Sequence, residues 1–145
     1  MKKLLYILLF SLAFSSCKKD EPSLIPVIEF VSISHEEVEE FDNQIEVVFN
    51  YSDFDGDLGT IDADDLTLRV KDARLSDFDW YHIPPLTPDL QELQIEGTLN
   101  VQLNPLFLLG NGDQESTEFT IQIKDRAENW SNQIITPQII IRDSL

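Results

Sequence analysis

A single cysteine, Cys17, stands in the chain, so no disulfide can close within it. Cations are scarce as well: 10 Lys and Arg face 27 Asp and Glu, for a formal net charge of −17. Nucleic-acid binding needs a basic footprint, and the lack of one removes nucleic acid from the expected partners. The surplus of negative charge favours solubility and draws cations. Long apolar runs are missing. The longest, Leu4 to Phe14 (LLYILLFSLAF), is too short to span a bilayer as a stable helix. No stretch of ten or more residues repeats its apolar positions at the helical period, which argues against a helical domain. There is no Gly-x-Ser-x-Gly elbow, and the only histidines, His35 and His82, show no metal-ligand spacing, so no enzyme is expected.

What is present begins with an address. Met1-Lys2-Lys3 is a positive n-region and the Leu4–Phe14 run an apolar h-region, so residues 1–16 read as a signal peptide. Ser15-Ser16-Cys17 resembles the lipobox of bacterial lipoproteins. The resemblance implies cleavage before Cys17, diacylglycerol on its sulfur and a further acyl chain such as palmitate on the new N-terminus. A free, exposed thiol in an oxidising compartment would be an odd thing to keep. Lys18-Lys19-Asp20-Glu21 resembles the short Lys-then-acid signal of some Bacteroidota lipoproteins, which implies the cell-surface face of the outer membrane. Residues 17–25 are then the lipidated cysteine and a polar, Pro22-bearing tether.

From residue 26 the apolar period is mostly two. Segment 26–34 is rich in β-branched residues. In 44–52, Ile45, Val47, Phe49 and Tyr51 share a face. In 65–71, Leu66, Leu68 and Val70 are expected inward, with Thr67, Arg69 and Lys71 outward. A short aromatic strand, 78–83, stops at Pro84-Pro85. Leu93, Ile95, Leu99, Val101 and Leu103 keep one phase, with Gly97 in the inward register as the mark of a bulge or of close packing. Phe119, Ile121 and Ile123 form the next strand, and Ile134 to Ile141 the last, interrupted by Pro137. The pattern predicts an all-β domain over 26–145: a single antiparallel β-sandwich of immunoglobulin-like type with about seven strands.

The densest chemistry follows the second strand. Asp53-Phe54-Asp55-Gly56-Asp57-Leu58-Gly59, with Asp62, Asp64 and Asp65, puts six carboxylates into thirteen residues. Such charges repel unless water or a cation screens them. Alternate acids in a tight loop aim their oxygens at one hard cation, and the glycines permit the backbone this needs. The order is not that of an EF-hand, since Leu58 stands where that loop needs glycine. Plain turn chemistry is the competing account.

A second stretch, Asp125-Arg126-Ala127-Glu128-Asn129-Trp130-Ser131, resembles the Asp-x-Ala-Gly-Asn-x-Ser turn near the end of bacterial extracellular immunoglobulin-like modules, with Glu128 in place of glycine. In that topology both loops lie at one end of the sandwich. The expected Ca2+ ligands are therefore Asp53, Asp55, Asp57, Asp125 and Asn129. Asp125 has an alternative role, capping its own turn. Trp80 and Tyr81, with Trp130, form a candidate binding surface, although burial in the core competes for the first two.

Together the two motifs resemble small Bacteroidota lipoproteins of immunoglobulin- or cadherin-like fold. The resemblance implies extracytoplasmic binding or scaffolding and no particular activity; the expected role is a non-catalytic, lipid-anchored module for which the acidic loop makes calcium a candidate stabiliser. Two other roles stand beside it: an accessory subunit partnering an outer-membrane transport or secretion protein, and a carbohydrate-binding or hydrolytic module.

Overall fold

The computed structural model describes residues 23–42, 44–87 and 93–144. Residues 1–22, with the expected leader, Cys17 and most of the tether, lie outside the described residues. The described part is all-β and contains no helix. Its strands are β1 (Val27–Ile33), β2 (Glu37–Glu39), β3 (Ile45–Asp53), β4 (Leu68–Asp72), β5 (Asp79–Tyr81), β6 (Ile95–Leu103), β7 (Gln114–Thr117), β8 (Phe119–Ile123), β9 (Ile134–Ile135) and β10 (Ile139–Arg142). They form three sheets, ordered β1-β3-β6, β5-β4-β8-β9 and β2-β10-β7. All pairings are antiparallel except β2 with β10.

About seven strands were expected and ten segments are found: β2 and β7 are additional, and the last expected run is split into β9 and β10. Only Glu118 separates β7 from β8, and Thr136, Pro137 and Gln138 separate β9 from β10. Proline has no N–H for the ladder, and the chain changes partners there: β9 pairs with β8, β10 with β2 and β7.

The inward registers of the sheets meet in one core. Ile45, Val47 and Phe49 of β3 are fully buried, as are Ile121 and Ile123 of β8 and Ile139 and Ile141 of β10. Burying a side chain of this size contributes roughly 1.5–3 kcal/mol, so alternation of this quality fixes which face turns inward. Gly97 causes no bulge. It pairs in regular register with Tyr51, whose ring lies where a Cβ would be, so the close-packing alternative is the observed one.

Two registers depart from expectation. Leu66 is exposed and Thr67 is buried, because β4 starts only at Leu68 and the Thr67 carbonyl accepts from Lys124 N. Leu93 is exposed and precedes β6. Its carbonyl instead crosses the acidic loop at Gly56, so tightly that a Cβ on Gly56 would lie 2.0 Å from that oxygen.

Candidate metal centre

β3 delivers Asp53 as its last residue, at the point where alternation would put a core side chain. The carboxyl is accordingly 2 % exposed. The chain then turns back on itself. Asp57 N donates to Asp53 Oδ2 at 2.9 Å, and Gly56 and Gly59 take φ values of 69° and 81°. That left-handed backbone is open to glycine at little cost. Both glycines also admit another segment, Leu93 at Gly56 and Pro84 at Gly59.

The turn brings one carboxylate oxygen from each of Asp53, Asp55 and Asp57 within 4.8 Å of the others. The Oδ1 atoms of all three are buried and have no hydrogen-bond partner. Among the described residues only Thr67 Oγ1 shares that condition. Buried polar atoms are nearly always paired, so three orphans of one sign in one loop are a specific anomaly. Hard oxygen donors in this number suit a hard divalent cation. The group can hold a metal ion.

The electrostatics agree with the geometry. Burial first, then the charges of Asp55 and Asp57, push the Asp53 carboxyl from its ordinary 3.8 up to about 6, against the pull of the Asp57 amide. Burial, then Asp125 and Asp55, also raise Asp57, against Arg126 and the Ala127 amide.

Asp125 and Asn129 lie beside this group, as the two motifs suggested. Leu58 and Asp125 form an isolated antiparallel bridge. Ala127 N donates to Asp57 Oδ2 at 3.1 Å, and Arg126 N donates to the Asp57 carbonyl at 3.2 Å. The two side chains, however, are engaged with each other. Asn129 N donates to Asp125 Oδ1 at 2.7 Å and Asn129 Nδ2 to Asp125 Oδ2 at 2.9 Å. Asp125, 1 % exposed, therefore caps its own turn and adds negative charge behind Asp57, while the converging oxygens come from Asp53, Asp55 and Asp57. Glu128 keeps the conformation that its glycine counterpart would have, with φ 69°.

Sequence reasoning did not foresee Thr87 or Leu93 as parts of this end of the domain. Thr87 Oγ1 donates to the Gly56 carbonyl at 3.4 Å. Their contributions are backbone contacts or a single hydroxyl, and residue type carries no signal for either.

The aromatic residues divide. Trp80 is 44 % exposed, and its ring meets Trp130 edge-on at 5.9 Å. Tyr81 is half-buried and packs against the core. The rings of Trp80 and Trp130 thus lie together outside the β5-β4-β8-β9 sheet, and Tyr81 does not join them. His82 Nε2 lies 2.8 Å from the Thr60 carbonyl and His35 Nδ1 2.9 Å from Ser34 Oγ.

The chain matches no family model, no curated protein and no solved structure.

Proposed function

We propose that this chain is a lipid-anchored, non-catalytic binding or scaffold module of the bacterial outer membrane, and that calcium stabilises its immunoglobulin-like domain. The observation that carries the calcium part is the set of three buried, unpartnered carboxylate oxygens of Asp53, Asp55 and Asp57. Calcium takes six to eight oxygens at about 2.3–2.6 Å, so these three residues would supply the charge, and backbone carbonyls and water the remainder. Magnesium demands stricter octahedral geometry and gives up its water reluctantly, which makes it the weaker fit to a partly dehydrated carboxylate group. Bound calcium would neutralise a repulsion that burial makes severe and would pin β3 to the 125–129 turn through Asp57.

The immunoglobulin-like topology is supported by the partition into β1-β3-β6 and β5-β4-β8-β9, with β2 running parallel to β10. The anchored setting rests on the leader, on Cys17 and on the tether. β1 begins opposite the end of β3, with Val27 against Ser52, so the tether leads to the acidic end of the domain. The opposite end carries Phe41, 67 % exposed and stacked on Phe107 at 5.8 Å. This exposed pair favours the second reading, an accessory subunit whose protein partner docks on the membrane-distal tip.

Two measurements test the proposal. Mass spectrometry of the mature protein should find residues 1–16 removed and Cys17 acylated. Calorimetric titration should find one calcium per chain, weaker magnesium binding, and loss of both in Asp53→Asn/Asp55→Asn. An unmodified thiol would overturn the anchor, and absence of calcium binding the metal.

A further inference from the structure

Beyond residue 25 the chain has only six cationic side chains: Arg69, Lys71, Arg74, Lys124, Arg126 and Arg142. Arg74 is tied to Asp72 and Glu115, Arg142 to Glu37, and Lys124 to Glu128. Arg126, beside the acidic loop, donates to the Gly59 carbonyl and makes no ion pair among the described residues, and neither do Arg69 and Lys71, neighbours on the outward register of β4. Arg69 is held otherwise. Its guanidinium lies 3.9 Å from the centre of the Trp130 ring and 4.7 Å from that of Phe78, and its Nε and Nη2 both donate to Gln122 Oε1, at 3.2 and 2.6 Å, which leaves the Nη1–Nη2 end to meet a ligand. The Lys71 ammonium lies 5.6 Å from the Phe78 ring and that of Lys124 5.9 Å from the Trp130 ring.

The two outer faces of the sandwich differ in kind. On β5-β4-β8-β9 the outward register of the strands holds no carboxylate: Thr120 and Gln122 stand on β8, Ile135 on β9 and Trp80 on β5. On β1-β3-β6 the outward positions include Glu29, Glu46 and Glu96, and no cation. Cations stacked on aromatic rings keep their charge available to a further anion.

From this we infer that the β5-β4-β8-β9 face binds an acidic saccharide, a sugar carrying an isolated carboxylate, with its apolar ring face against the exposed Trp80 beside Trp130 and its anion at Arg69 and Lys71. Sugar C–H groups complement the negative faces of aromatic rings, and a planar guanidinium pairs with a carboxylate through two parallel hydrogen bonds. The overall charge of −17 repels a dense polyanion, whereas one anionic group sees mainly the cations within a screening length of about 8 Å. An acidic peptide fits less well, because sheets capture peptides by strand addition at an edge, and a sheet face offers side chains alone. The inference rests on reading the domain as a binding module and names its ligand class.

Trp80 and Trp130 are the only tryptophans in the chain, so tryptophan fluorescence, excited beyond the absorption of tyrosine, reports on this face. The test titrates the mature protein, in a sugar-free detergent, with sialyllactose, with lactose and with a short polyglutamate peptide. Sialyllactose should give a saturable change and the other two none. Raising salt from about 0.01 M to about 1 M, which cuts the screening length from roughly 30 Å to roughly 3 Å, should weaken binding. Arg69→Gln should weaken it by about tenfold or more. Because Arg69 also holds Trp130, Lys71→Gln, which frees only an ammonium over Phe78, is measured beside it and should lower affinity with an unchanged melting midpoint. No response to sialyllactose, an equal response to lactose, a response to the peptide alone, or full affinity in Lys71→Gln would overturn the inference. A parallel melt with calcium keeps the outcomes separate. A calcium-dependent midpoint without a saccharide response leaves the stabilised domain and removes this ligand class.

Discussion

At Asp53 the Asp57 amide occupies one carboxylate oxygen and leaves the other facing Asp55 and Asp57. The folded carboxyl titrates near 6 and the ordinary one near 3.8. The folded state thus binds this proton more tightly than the unfolded state does. Its contribution to stability is complete below about pH 4 and is lost as pH rises through about 6. Asp57 shifts in the same direction and adds to the loss. In chelator, therefore, the melting midpoint should fall between about pH 5 and about pH 7. Asp53→Asn should flatten that fall and should melt no lower than the native chain at pH 7 in chelator, because it removes a buried charge. A midpoint that rises over that interval would show the carboxyl to be stabilised as the anion.

Asp72 has the opposite sign. Burial raises its carboxyl, but hydrogen bonds from Arg74 and Thr117 and the charge of Arg74 outweigh burial and hold it below the ordinary range. It stabilises the fold above its ordinary pKa, and the contribution is lost as pH falls through the lowered value.

Among the elements, loops decide more than strands. Gly59 combines a left-handed φ with a close crossing, where an added Cβ would lie 2.2 Å from the Pro84 carbonyl oxygen. Gly59→Ala should cost about 3 kcal/mol or more in urea denaturation, since both the backbone and the crossing segment would have to shift. The turn after β4 is fastened differently. Arg74 donates to both oxygens of Asp72, to Glu115 Oε2 and to the Phe107 carbonyl, joining three segments. Arg74→Met would keep much of the packing and strand the buried Asp72 charge, and should cost about 3 kcal/mol at neutral pH. That cost should shrink in acid as Asp72 protonates.

Strands with one buried face were legible from their alternation. The faces expected for β3 and β8 are those observed, because a one-residue slip would expose every large side chain in them. Leu66 and Thr67 were misread because a strand's start is set by its partner's hydrogen bonds, here Lys124 N to the Thr67 carbonyl, and not by its own pattern. The acidic triad was legible from its one-residue spacing, whereas the mutual engagement of Asp125 and Asn129 depends on rotamers that spacing does not record.

Over the whole molecule, charge is sorted. The acidic loop sits beside the start of β1, one sheet's outer face carries carboxylates, and the other carries Arg69 and Lys71 beside aromatic rings. A net charge of −17 on a chain of this size opposes compaction, and a divalent cation held at the most repulsive loop would relieve part of that strain. Under the two proposals the sorting would separate cation-dependent stability at the acidic end from ligand contact on a sheet face.

Calcium-dependent melting tests the metal centre most directly. A cation bound only by the folded state adds about 2.7 kcal/mol when held at a hundred times its dissociation constant, roughly 10 °C for a domain of this size. The mature protein should therefore melt roughly 10 °C higher in calcium than in chelator at pH 7, and Asp53→Asn/Asp55→Asn should melt at one temperature in both. Equal midpoints for the native chain with calcium and with chelator would contradict the account, leaving three buried oxygens without the partner they imply.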